Sequence, residues 1–122
     1  MLLLAGCSNF DIPDYQSINE WVHDNVDYVA DVDHEVKTPL ETLTEGGDCE
    51  DLAILLLKMV KDEYRVRGRL VVYQMDEYTK HAIVEFDQYY DPTNGVTFEY
   101  IDPELITVIV SYEKAMYWAI KY

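Results

Sequence analysis

Gly46-Gly47-Asp48-Cys49-Glu50-Asp51-Leu52-Ala53-Ile54-Leu55-Leu56-Leu57 opens the densest apolar run of the chain. Two glycines end whatever precedes them, and Asp48 then stands where a helix cap is needed, with Asp51 three residues on. Glu50 and Asp51 fall in the first turn, where carboxylates suit the positive end of the helix dipole. From Leu52 to Leu57 the run is apolar on every side, and Met59 and Val60 continue it to about Glu63. A helix with so little polar face is a central, buried one. Cys49 therefore begins the helix that forms the middle of the domain.

Upstream, Thr38-Pro39-Leu40-Glu41 predicts a short helix with a threonine cap, proline at its first position and Glu41 closing a capping box. Earlier still, Ser17 and Glu20 form a similar box, and Ile18, Trp21, Val22, Val26 and Val29 follow at helical spacing. Asp24, Asp27, Asp31 and Asp33 gather on the other side. They lack the ordered spacing of a calcium loop and read as a solvated face. Downstream of Gly68 the period changes to two. Leu70–Met75 and His81–Phe86 read as strands, Tyr89-Tyr90-Asp91 begins a third, and Pro92-Thr93-Asn94-Gly95 closes it as a turn. Residues 96–101 are an expected edge strand, 103–110 fit helix or strand, and 111–122 look helical. Helices first and strands afterwards define an α+β domain, with the Cys49 helix on a small antiparallel sheet.

The 122 residues fit one domain, and 49% hydrophobic residues suit a globular core. A net charge of −15 leaves no basic surface for phosphates, so nucleic acid is excluded as a partner. Of the two cysteines, Cys7 ends Leu2-Leu3-Leu4-Ala5-Gly6-Cys7, which resembles the lipobox of bacterial lipoprotein signals. That resemblance implies lipidation at Cys7 and a place at the cell envelope, the lipid being the only membrane contact. Residues 1–16 are then a residual signal and tether, and 17–122 the folded domain. The basic n-region and longer apolar core of a full signal are not among residues 1–6. No stretch approaches the roughly 20 apolar residues that span a bilayer.

Chemistry concentrates on Cys49. Its sulfur lies at a helix start, where unpaired N–H groups favour a thiolate, while Asp48, Glu50 and Asp51 oppose a further anion. A histidine beside it would decide the balance. His23 sits in the first helix and His34 in the loop after it, neither with an orienting partner. His81 begins a strand, and Asp91 lies ten residues on in the hairpin partner. The roles would be Cys49 as nucleophile, His81 as base and then acid, and Asp91 as orienter, with the backbone N–H of Cys49 as oxyanion donor. One geometric condition applies. A two-residue Asp87-Gln88 turn would pair Val84 with Asp91 and put Asp91 on the face opposite His81, so the triad requires an odd-numbered loop or a bulge. Three scattered histidines give no metal-ligand spacing, and no cofactor is implied.

Gly46-Gly47-Asp48-Cys49-Glu50-Asp51-Leu52-Ala53, then His81-Ala82-Ile83-Val84-Glu85, then Tyr90-Asp91-Pro92, resembles the transglutaminase-like superfamily. Thr38-Pro39-Leu40-Glu41-Thr42-Leu43 upstream is similar to its small bacterial cysteine-proteinase branch. The resemblance covers about residues 17 to 95. It implies a papain-like fold and a triad on Cys49, His81 and Asp91. Relatives often carry a tryptophan or glutamine before the cysteine as a second oxyanion donor, where this chain has Glu35-Val36-Lys37. The implied activity is thiol-dependent acyl transfer on a peptide or protein amide, by hydrolysis or by transglutamination. The alternative is a cell-envelope binding module that uses the same cleft.

Overall fold

The computed structural model describes residues 13–30 and 35–121. Three helices come first: α1 (Tyr15–Asn25), α2 (Pro39–Glu45) and α3 (Cys49–Tyr64). Strands β1 (Arg69–Gln74), β2 (Lys80–Glu85), β3 (Tyr89–Asp91) and β4 (Val96–Phe98) follow, then a 3-10 turn at Pro103–Leu105, β5 (Ile106–Val110) and α4 (Tyr112–Lys121). The ambiguous segment 103–110 is thus one turn and one strand, and the expected C-terminal helix is present. Cys7, Asp31, Asp33 and His34 lie outside the described residues.

The caps explain the helices. In α2 and α3 both capping boxes form, Thr38 with Glu41 and Asp48 with Asp51. The first helix departs from expectation. It starts at Tyr15 rather than Ser17, because Asp14 accepts the Ser17 N–H at 3.0 Å and the Ser17 hydroxyl at 2.6 Å. It also ends at Asn25, so Val29 is not on its apolar face and is 42% exposed, as is Trp21 at 43%. The chain leaves the helix to run beside the Cys49 turn. Val29 donates to the Gly47 carbonyl at 2.8 Å and Gly47 donates to the Asp27 carbonyl at 3.1 Å, a one-residue parallel bridge centred on Tyr28 and Gly47.

The sheet is antiparallel throughout, in the order β4-β3-β2-β1-β5. Its face carrying Leu70, Ala82, Val84, Tyr90 and Val110 shares one core with α3, whose Leu52, Ile54, Leu56 and Leu57 are fully buried. Each of those side chains contributes about 1.5–3 kcal/mol relative to exposure. The other face holds Val71 and Ile83. Strands β4 and β5 are the two edges, so the segment joining them must cross the whole sheet. It crosses the face opposite α3, where Ile101 is buried against Val71 and Ile83.

Candidate active site

Cys49 is the first residue of α3 and half-buried. The turn before it is held from several sides. Asp51, only 1% exposed, accepts the backbone N–H of Lys37 at 2.9 Å and that of Asp48 at 3.1 Å. Burial raises its carboxyl, the two amide bonds oppose this, and nearby Asp48 adds to the rise, leaving Asp51 pushed up to about 6. Asp48 in return accepts the Asp51 N–H at 3.1 Å. The Cys49 N–H sits at the first helical position, where no preceding turn of helix supplies a carbonyl.

The hairpin from β2 to β3 satisfies the geometric condition. Glu85 pairs with Tyr89 and Val84 with Tyr90, so the loop is the odd-numbered Phe86-Asp87-Gln88, closed by Phe86 N–H donating to the Gln88 carbonyl at 2.9 Å. With Tyr90 opposite Val84, Asp91 shares a face with Ile83 and hence with His81. The two side chains meet: His81 Nε2 lies 2.9 Å from Asp91 Oδ2, and both residues are buried. Asp91 is itself fixed by the backbone N–H groups of Thr93 and Asn94 on Oδ1 and by the Asn94 side chain on Oδ2. Burial works to raise its carboxyl, but the bonds from His81 and Asn94 outweigh that and hold it below the ordinary value.

His81 is bonded to Asp91 and has Cys49 as a neighbour. Nε2 is taken by Asp91, and the Cys49 sulfur is near enough to act on the ring, the two side chains lining one cleft. Burial disfavours the imidazolium; the bond to Asp91 and the neighbouring Cys49 sulfur outweigh it and push His81 up to about 9. At neutral pH the ring is a cation set between a carboxylate and a sulfur. The cleft in front of it has a volume of about 370 Å3, and Cys49, His81, Lys80, Val72, Ala82 and Val108 are among its walls. Ala82 pairs with Val72 and Val72 with Val108, so the three form one aliphatic row running from β2 to the sheet edge.

The other candidates fall elsewhere. His23 donates Nδ1–H to the Thr93 carbonyl at 3.1 Å and braces the turn after Asp91, away from the thiol. Among the described residues no group of three or more His, Cys, Asp or Glu is arranged to hold a metal ion. Two tyrosines near the site escaped the reading of the sequence. Tyr73 is the cross-strand partner of His81, its ring edge-on to the imidazole at 5.8 Å. Tyr28, beside the Gly47 bridge, has its phenol raised by burial and then by Cys49 and Asp48. Tyr73 could have been found only from the strand register, and Tyr28 only from the bridge.

No family model and no curated protein sequence matches the chain. Solved structures do. The α+β fold is that of papain-like, transglutaminase-like cysteine proteases. EGTA-treated LapG from Legionella pneumophila superposes with a TM-score of 0.65 at 15% identity, covering 87% of this chain and 74% of LapG. Calcium-bound LapG gives 0.57 at 17% identity, over 76% and 60%. A candidate cysteine protease from Cytophaga hutchinsonii gives 0.56 at 19% identity, over 80% of this chain and 34% of that one. The chain thus spans about three quarters of the first of these structures, 60% of the second and a third of the last. At these identities the likeness is one of fold.

Proposed function

We propose that this chain performs thiol-dependent acyl transfer on amide bonds, with water as the usual acceptor, which makes it a cysteine peptidase or amidase. The observation that carries the reading is His81 bonded to buried Asp91 and lining one cleft with Cys49. His81 holds the thiol proton while the Cys49 sulfur attacks the carbonyl carbon and a C–S bond forms. The Cys49 N–H at the start of α3 faces the developing oxyanion. The C–N bond then breaks as His81 returns the proton to the departing amine. Water, losing a proton to His81, hydrolyses the thioester and restores the thiol. An amine in place of water would give transamidation by the same steps.

A binding module is the second reading, favoured by the carboxylates of Asp48 and Glu50 flanking the thiol and by Glu35-Val36-Lys37 where relatives carry a second oxyanion donor. Envelope placement rests on the Cys7 motif alone.

Alkylation by iodoacetamide, with Cys49 resolved from Cys7 by peptide mass spectrometry, separates the two. It is run with calcium and with EGTA, because LapG has been solved in both conditions. The acyl-transfer reading expects Cys49 to react fast at neutral pH and to slow by about tenfold or more in His81→Ala. A Cys49 rate indifferent to His81 would leave the binding module.

A further inference from the structure

Two clefts lie on either side of β1, and His81 lines the first while touching Tyr73 of the second. Val72 and Tyr73 are consecutive in β1 and point to opposite faces of the sheet. Val72 lines the cleft that holds Cys49. Tyr73 forms the wall of a second cavity, of about 230 Å3, with Phe98, Tyr100, Ile101, Asp102 and Leu105. That cavity exists because the segment from β4 to β5 crosses the far face of the sheet, anchored by buried Ile101. Tyr100, 72% exposed, and Leu105, 43% exposed, are left at its mouth. The volume is below the roughly 300–1,000 Å3 of drug-sized ligand sites and suits one side chain.

The chemistry says which half of a substrate comes here, and this step rests on the acyl-transfer reading above. The departing amine takes its proton from His81, so the chain attached to that amine lies on the imidazole side of the thiol. The ring flanking the imidazole is Tyr73, its cross-strand partner at 5.8 Å. We infer that the Tyr73–Phe98–Leu105 cavity is the subsite for the residue following the scissile bond, and that it selects a large apolar side chain there. The acyl half then lies over the Ala82–Val72–Val108 row on the opposite face. Asp102 at the cavity's rim carries a carboxylate that disfavours an acidic side chain.

The test uses the reverse entry of amines. The full chain is acetylated on Cys49 with p-nitrophenyl acetate, then offered phenylalaninamide or alaninamide, two amines of similar basicity. In each transfer the amine nitrogen bonds to the acetyl carbon, the C–S bond breaks, and the amine proton passes through His81 to the sulfur. Capture by phenylalaninamide should exceed capture by alaninamide by about tenfold, within the range a hydrophobic pocket supplies, and fall to about parity in Leu105→Asp. Tyr100→Ser, altering an exposed rim residue, should lower the same ratio. An acetyl-enzyme that takes both amines equally, or neither, overturns the subsite while leaving the nucleophile intact. Absence of acetylation at Cys49 overturns both the subsite and the reading beneath it, and the mass of the Cys49 peptide tells the cases apart.

Discussion

Gly47 illustrates how much one residue can be constrained from outside its own backbone. A Cβ there would lie 2.4 Å from the Asp51 Cβ and 2.8 Å from Asp51 Oδ2. Asp51 cannot retreat, because its carboxylate holds the Lys37 and Asp48 amides. Gly47→Ala should therefore lower unfolding free energy by about 1–3 kcal/mol, the usual range for overpacking, as read by urea denaturation. A variant as stable as the parent would mean the cap yields freely. Gly46 differs: its φ of +82° lies in the region glycine favours, and a Cβ would lie 2.5 Å from the Asp27 carbonyl. The sequence showed both glycines as the end of a helix, which is correct for Gly46. The demand on Gly47 comes from a folded side chain, and no local pattern carries it. Cys49, His81 and Asp91 were legible because each sits at a recognisable element boundary. Tyr73 was not, since its tie to His81 depends on which residues two strands align.

The hairpin is the element on which the site depends most. Strand alternation could state the condition, an odd loop, but not whether it is met, because Asp87-Gln88 would also make an acceptable short turn. The three-residue loop Phe86–Gln88 resolves it. Asp91→Ala leaves the loop and the register as they are and removes the carboxylate from His81. Cys49 alkylation in that variant should fall toward the rate of His81→Ala. An Asp91→Ala variant alkylated as fast as the parent would show that Asp91 does not orient His81. Helix α1 shows a different limit. Asp14 and Ser17 are both good caps three residues apart, and Asp14 wins by binding Ser17 through both amide and hydroxyl. Local propensity offered two starts, and the longer helix also buries Tyr15 against Phe86, with ring centroids at 4.7 Å.

At the scale of the whole molecule, pH acts through a few buried groups and through 24 acidic against 9 basic residues. His81 rises from 6.5 to about 9 on folding, so its contribution is complete below 6.5 and is lost as pH climbs through 9. Asp51 rises from 3.8 to about 6, so the native state holds the extra proton and stability declines as pH rises through that interval. Asp91 is lowered, and its contribution disappears as pH falls below the ordinary carboxylate range. The sum favours mildly acidic solution. The urea midpoint should be highest near pH 4–5 and decline by pH 9, with Asp51→Asn flattening the acidic part of that decline. A midpoint unchanged between pH 6 and pH 9 would contradict the His81 assignment. Strand order was the part of the molecule least legible from sequence. The β1–β5 pairing joins residues such as Leu70 and Val110 across the intervening hairpins, and neither strand records its partner in its own alternation.

The bridge between Tyr28 and Gly47 bears on where such a domain can be cut. A fragment beginning at Thr38 would keep Cys49, His81 and Asp91, the capping box of α3 and every strand of the sheet. It would lose the Asp27 carbonyl and the Val29 amide that hold Gly47. It would lose Lys37 as well, whose amide fixes Asp51. Judged by its motifs such a fragment is whole, yet the turn that aims the thiol would have been discarded with the first helix.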